Sequence, residues 1–505
     1  MTRRDTLPDD TRVYLPLVDL PKAVPFGGRG LRAFVDDVLA EIRELYLADS
    51  VPWVLGYSGG KDSTLTTMLV WLALESLPPD QRTKPVHVIS TDTLVENPVI
   101  AAWVARSLDS MRTAAEAASL PVEVHRLTPA VEDTFWVCLI GRGYAAPRPK
   151  FRWCTERMKI RPSNTFIRSV VDQHGEVILV LGTRKAESQA RARSMARHEA
   201  GRVRDRLSPN ASLPNSLVYS PIEDLKTDEV WEALMQYPNP WGHSNKELLA
   251  IYRGASADSE CPLVVDTSTQ SCGDSRFGCW TCTMVESDKS MKAMILNDDA
   301  DAYDWMRPLL DLRDRLDIED DRHLRDFRKM DGRLLIHRER LVHGPYTQEA
   351  REDWLRQLLT AQTWIRQNGP DHVRDISLIT LDELREIRRI WVFTKHEVED
   401  SLPGIYQETT GEPYPDGPFS PTIDLDRTMI EVLRAVCGDD HQEFLTVRAL
   451  LAVERSYRTA RRRAGMLDAL EKVLTHHFTD EDEAQEFALR QRTMRGQDPP
   501  QASLF

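Results

Sequence analysis

Four cysteines, Cys261, Cys272, Cys279 and Cys282, follow a Cx10Cx6Cx2C pattern. Four soft sulfur ligands so spaced suit one metal centre, and zinc and an iron-sulfur cluster satisfy that donor set equally well. A zinc ribbon usually shows two CxxC pairs; the single pair here leans towards a cluster. Far upstream, an apolar strand runs into Ser58, Gly59, Gly60, Lys61, Asp62 and Ser63 and then into an apolar helical pattern. Adjacent glycines let several backbone N–H groups and a helix N-terminus face one anion, which makes a phosphate cradle. The order of glycines and lysine is not that of the Walker loop. A nucleotide site and a sulfur-metal site in one chain imply an enzyme that uses ATP to insert sulfur.

These residues need a scaffold, and the segments between residues 51 and 225 supply its pattern. The β-rich runs VPWVLGY, PVHVIS, VEVHRLT, VILVLGT and LVYSPI alternate with longer amphipathic or charged segments. That rhythm predicts an α/β fold, a doubly wound and mostly parallel sheet whose ligands gather at the carboxyl ends of the strands. The phosphate loop, Asp92 and Gly182 through Arg184 all fall just after predicted strands. The organisation expected is a tail over 1–20, a nucleotide domain over 21–255 and a cysteine-rich insertion over 256–297. A helical domain over 298–400, a Pro/Gly-rich linker over 401–425, more helix over 426–480 and a disordered tail over 481–505 complete it.

The chain has 505 residues, a formal net charge of −14 and seven cysteines. The acidity argues against indiscriminate coating of nucleic acid, so any polyanion must meet a local patch. Residues 184–206, RKAESQARARSMARHEAGRVRDR, are such a patch, consistent with DNA; a solvated helix with ion pairs to Glu187 and Glu199 fits as well. An odd number of cysteines with four gathered together fits reduced thiols and a metal, and with no signal-like segment a cytoplasmic, soluble protein is expected. Cys154 lies apart from the four, flanked by Arg152, Arg157 and Lys159, whose charges would favour thiolate. Cys138 reads as core and Cys437 as an ordinary helix cysteine.

The SGGKDS stretch resembles the PP-loop of ATP pyrophosphatases, which cleave ATP between the α and β phosphates. The resemblance implies that Ser58, Gly59, Gly60 and Ser63 hold pyrophosphate, that Asp62 acts through magnesium (Mg2+) and that Lys61 adds positive charge. Three further segments are similar to the phosphoadenylylsulfate reductase branch. They are Thr91-Asp92-Thr93 with Glu96; Gly182-Thr183-Arg184 through Glu187, Ser188 and Arg191; and Phe151-Arg152-Trp153-Cys154-Thr155 with Lys159 and Pro162. Asp92 would bind ribose or the magnesium shell, while Arg152, Lys159, Arg184 and Arg191 would grip substrate phosphates.

The full set, SGGKDST, STDTLVENP, FRWCTERMKIRP, LGTRKAESQARARSM and FGCWTCTMVESDKSM, resembles the DndC family of DNA phosphorothioation proteins or the related SspD type. The resemblance implies ATP pyrophosphatase activity, a [4Fe-4S] cluster on Cys261, Cys272, Cys279 and Cys282, sulfur from a partner cysteine desulfurase, and other Dnd-type modification proteins as partners. Cys154, with Lys61, Asp62 and Arg184, would then belong to the catalytic set, as a sulfur carrier or as a substrate-orienting residue. A sulfonucleotide reductase, a tRNA thiolase and a zinc-bearing DNA scaffold are the competing readings. The last residues, QASLF (501–505), resemble peptides that dock on the sliding clamp.

Overall fold

The computed structural model describes residues 25–255, 278–297, 302–417 and 427–494, apart from 150, 203, 205, 211, 331, 396, 398, 439, 459–462, 476, 477 and 479. Cys261, Cys272 and residues 501–505 lie outside the described residues.

All five expected strands form: β1 (Trp53–Gly56), β2 (Val86–Thr91), β3 (Val122–Leu127), β4 (Val177–Val180) and, after a short β5 (Ser208–Pro209), β6 (Ser216–Tyr219). The sheet order is β3-β2-β1-β4-β6-β5, parallel throughout except for the antiparallel β5. Helices α1 (Leu31–Leu47), α2 (Lys61–Glu75), α3 (Pro98–Ala117), α4 (Arg161–His174), α5 (Gln189–Ala200), α6 (Thr227–Gln236) and α7 (Asn245–Gly254) complete this unit. Both faces of the inner strands are covered, which is why those strands read as apolar runs. Trp53 and Leu55 enter one core with Val35, Val38, Ile42 and Tyr46 of α1, while Val54 and Leu179 meet Ile167 and Val170 of α4 on the other side. From β1 the chain winds outward to β2 and β3, then returns to β4 on the opposite flank of β1. The crevice at that reversal is where such sheets place their ligands.

The helical C-terminal region follows as α8 (Lys289–Leu296), α9 (Arg307–Leu316), α10 (Gln348–Asn368), α11 (Leu381–Arg389) and α12 (Leu402–Thr410), with further helices at Arg427–Cys437, His441–Arg458, Met466–Thr475 and Glu481–Met494. Helices α8 to α12 do not stand apart as a second core, whereas Ile430 with Phe444, and Phe327 and Leu341 with Phe478 and Ala484, form small clusters of their own. Buried residues from Phe26 to Ile405 form one contiguous cluster. Trp136 Nε1 donates to Leu378 O at 2.8 Å, and Trp391 Nε1 donates to Ile140 O at 2.9 Å. The stretch expected as a linker opens with α12, whose Leu402 and Ile405 are buried. Its Pro and Gly sit in the first helical turn, where neither breaks the helix. A two-residue hairpin, Ile336–His337 with Arg340–Leu341, was not legible.

Candidate functional site

The loop after β1 folds on itself. Ser58 N donates to Ser63 Oγ at 3.2 Å, the two hydroxyls stand 3.2 Å apart, and Ser63 Oγ donates to Gly60 O at 3.0 Å. Gly59 adopts φ +73°, and a Cβ there would stand 2.4 Å from Val104 Cγ2. Its carbonyl accepts a hydrogen bond from Trp103 Nε1 at 3.1 Å. Gly182, just after β4, meets the backbone of α2 so closely that a Cβ would stand 2.8 Å from Asp62 O. Gly59 packed on α3 and Gly182 packed on α2 therefore seat the loops after β1 and β4 at the N-terminus of α2, the kind of helix start at which a phosphate group binds.

Two charged residues of this loop are held by the protein itself. Arg184 is 2% exposed; its Nε donates to Asp62 Oδ1 at 2.7 Å, its Nη1 to Leu225 O at 3.0 Å and its Nη2 to Thr227 Oγ1 at 3.4 Å. The geometry gives Arg184 the task of positioning Asp62. Lys61 Nζ lies 3.3 Å from Asp62 Oδ2, over the ring of Tyr252, and Lys61 N donates to the Tyr252 hydroxyl at 3.4 Å. Asp92 accepts from Leu94 N at 2.8 Å and pairs with Arg126 of β3.

The cysteine turn docks against the same end of the sheet. Trp280 N donates to Val95 O at 2.9 Å, Asn97 N donates to Gly278 O at 3.2 Å, and Thr93 Oγ1 lies 3.4 Å from Cys279 Sγ. Buried Arg313 of α9 holds the far side, with Nε donating to Cys282 O at 3.0 Å. Lys159 Nζ stands 3.7 Å from Glu96 Oε1. The Cys279 thiolate beside it, with Glu96, Cys154 and Cys282, raises the Lys159 pKa. Burial pushes the Cys279 thiol up to about 11, against the pull of Lys159. A metal or cluster that stabilised thiolate would reverse that shift.

Cys154 departs from one expectation placed on it, the lowered thiol pKa. It lies within electrostatic reach of Cys282 and Cys279. Burial raises its pKa, because the arginines flanking it in sequence point elsewhere. Arg157 pairs with buried Asp133, which also takes Arg161, and Arg152 Nε donates to Pro149 O at 3.1 Å. Cys154 caps a π-helical turn, Thr155–Ile160, that runs into α4 and carries Lys159 towards the cysteines. Such turns are frequent at functional sites.

The donor set can be compared with the two metal readings. Thiolates around one tetrahedral zinc stand about 3.8 Å apart. The sulfurs of Cys154, Cys279 and Cys282 do not all gather within 4.8 Å. Cys154 therefore does not complete a single-ion site with Cys279 and Cys282; those two, the described members of the expected ligand set, would hold a metal or cluster, with Lys159 beside them.

The basic segment divides. Lys185 pairs with Glu199, Glu223 and Asp224, Arg202 with Glu223, Arg204 with Asp49 and Glu176, and Arg206 with Glu41 and Glu44. Lys185–Glu199 is one of the ion pairs expected of a solvated helix; the others tie the segment to carboxylates outside it. Arg191, Arg193 and Arg197 lie exposed on α5, with Arg191 3.4 Å from Glu187. Asp133, Arg126, Tyr252, Trp103 and Arg313 were not found by sequence reasoning. Each is an isolated residue whose partner lies far along the chain, so no local spacing marks it.

His243 adds a pH dependence. Its ring lies 3.8 Å from that of Trp103, the residue bound to Gly59, and burial lowers its pKa, with Glu247 and Arg106 acting in opposite senses. A buried neutral histidine takes up its proton more readily in the unfolded chain, so its contribution to stability is lost as pH falls below about 6.5. His243→Phe should keep the ring packing and flatten the fall in melting temperature between about pH 7 and 5 relative to wild type. An unchanged slope would count against it.

Residues 52–240 match the family model described as the phosphoadenosine phosphosulfate reductase domain. No curated protein matches the chain. Among solved structures, the U34-tRNA thiolase NcsA from Methanococcus maripaludis with its [4Fe-4S] cluster is 15% identical, over 57% of this chain and 82% of that chain, with a TM-score of 0.26. The strands, the loop after β1 and the arginine after β4 all lie inside the matched span, and residues 52–240 therefore have the α/β fold of the phosphoadenosine phosphosulfate reductase and PP-loop type.

Proposed function

We propose that this protein is a DNA phosphorothioation sulfurtransferase. The observation that carries the reading is the seating of Cys279 and Cys282 on the loop after β2, beside Cys154 and Lys159 and at the same end of the sheet as the phosphate cradle. In this reading the cradle from Ser58 to Ser63 holds the triphosphate, and Asp62 directs Mg2+ to it. A non-bridging oxygen of a DNA phosphate attacks the α-phosphorus of ATP, and pyrophosphate leaves. A cysteine desulfurase delivers persulfide sulfur, which a thiol reductant brings to the hydrosulfide level with two electrons, the thiols leaving as a disulfide; the hydrosulfide then attacks the DNA phosphorus, and AMP departs with the former oxygen, leaving the phosphorothioate. A [4Fe-4S] group held by the cysteines would supply the sulfur-handling chemistry. Lys159 supplies positive charge between the cysteines and Glu96, and exposed Arg191, Arg193 and Arg197 offer a strip for the DNA backbone.

The test is mass spectrometry of digested DNA for phosphorothioate dinucleotides in cells with the intact or broken gene, alongside pyrophosphate release by anaerobically purified protein. Cys279→Ser and Cys282→Ser should lower phosphorothioate at least about 100-fold while pyrophosphate release stays within a few-fold. Cys154→Ser should behave the same way; full sulfur incorporation in that variant would remove Cys154 from the reaction. The family match of residues 52–240 favours one other reading, a sulfonucleotide reductase. Sulfite release from phosphoadenylylsulfate, with no phosphorothioate in DNA, would establish that reading instead.

A further inference from the structure

A second cluster of ligating side chains lies on the opposite face of strands β2 and β3 from the main core, and the candidate site makes no use of it. In the parallel register His87 stands opposite Glu123 and Ile89 opposite His125. Residues two apart on a strand share a face, so all three side chains project towards α4. His87 Nδ1 lies 3.2 Å from His125 Nε2 and 3.2 Å from Glu123 Oε2, and His125 Nε2 lies 3.6 Å from the same oxygen.

Hydrogen bonding accounts poorly for this triangle. A carboxylate oxygen only accepts, so a proton shared along any one edge leaves another edge with two lone pairs or two N–H groups face to face. A cation at the centre satisfies all three donors at once. Zinc bonds of about 2.0–2.1 Å to nitrogen and oxygen give tetrahedral edges of about 3.3 Å, close to the three separations. The Phe166 ring, 4.7 Å from that of His125 and 5.6 Å from that of His87, walls the inner side. His87 is buried, while Glu123 opens to solvent and leaves the fourth position accessible. The electrostatic neighbours are His174 at the end of α4 and Arg112 of α3.

We infer that His87, Glu123 and His125 form a binding site for a divalent zinc-type cation, separate from the cysteine centre. It ties edge strand β3 to β2. Because Arg126 follows His125 and reaches Asp92, the ion also fixes the register of an arm of the candidate nucleotide site.

The full chain carrying Cys279→Ser and Cys282→Ser, stripped with a chelator, would be titrated with Co2+ and then Zn2+. The expected result is one Co2+ equivalent with visible bands of a nitrogen/oxygen tetrahedral site and no thiolate charge-transfer band, displaced by Zn2+. In the same background, His125→Gln and Glu123→Gln should weaken Co2+ binding at least about 100-fold and about 10-fold. Both positions are solvent-accessible, and metal-free unfolding curves matching the parent establish that these variants fold. Zn2+ should raise the melting temperature of the parent and not that of His125→Gln. Co2+ affinity unchanged by His125→Gln, or no Co2+ binding in the parent, overturns the site whatever the outcome for DNA sulfur.

Discussion

Gly59→Ala is expected to abolish most pyrophosphate release, by about 100-fold or more, while the protein remains folded. The φ of +73° places an L-residue in the left-handed region, at a cost of about 1–2 kcal/mol. The new methyl would also stand 2.4 Å from Val104 Cγ2, a separation no pair of carbons tolerates. Forcing a methyl into a filled space costs about 1–3 kcal/mol. The cheapest relief is to move the loop, which ends the alignment of its N–H groups with the α2 N-terminus. A second substitution separates the causes. Val104→Ala alone leaves the loop in place, and Gly59→Ala with Val104→Ala removes the overlap but not the backbone strain. The double variant should recover activity partially, measured as pyrophosphate release with ATP and Mg2+. Full activity in the single variant would show that the loop does not cradle phosphate.

Arg184→Ala should lower stability by about 2–4 kcal/mol, because it takes the buried guanidinium from Asp62, which keeps only Lys61, and leaves Leu225 O and Thr227 with a buried void beside them. Arg184→Lys should recover less than half. An ammonium is a single point and cannot span an aspartate, a carbonyl and a hydroxyl that the planar fork reaches together. Denaturant unfolding measures the first effect. Pyrophosphate release measures the second, since Asp62 without its clamp can rotate away from the cradle. If Arg184→Ala unfolds within about 1 kcal/mol of wild type, the clamp is not what holds Asp62.

The sheet was legible because each inner strand is covered on two sides and so appears as a short apolar run between helical stretches, as in VILV of β4 and VHVIS of β2. The phosphate loop was legible because its glycines, serines and lysine lie within six consecutive positions. The partners of those residues were not. Trp103 and Tyr252 reach the loop from α3 and α7, and Asp133 takes up Arg161 and also Arg157, which sequence alone assigned to the Cys154 environment. Flanking charge in sequence is not flanking charge in space once a buried carboxylate claims it. The same limit explains Cys154, which a π-helical turn carries to cysteines more than a hundred positions away. The helical region was recognisable as helical from its charge pattern, but periodicity says nothing about what a helix packs on, and its core proved continuous with that of the nucleotide domain.

That continuity bears on how the protein can be divided experimentally. A fragment ending after Leu296 would retain every strand of the sheet and both described cysteines of the turn, yet it would lay bare the Trp136 and Ile140 surface that Leu378, Ile387 and Trp391 now cover. It would also lose Arg313, the brace of the Cys282 turn. The smallest stable folded unit is therefore defined by where the tryptophans find their partners, and it extends at least through Ile405, well beyond the stretch that carries the motifs.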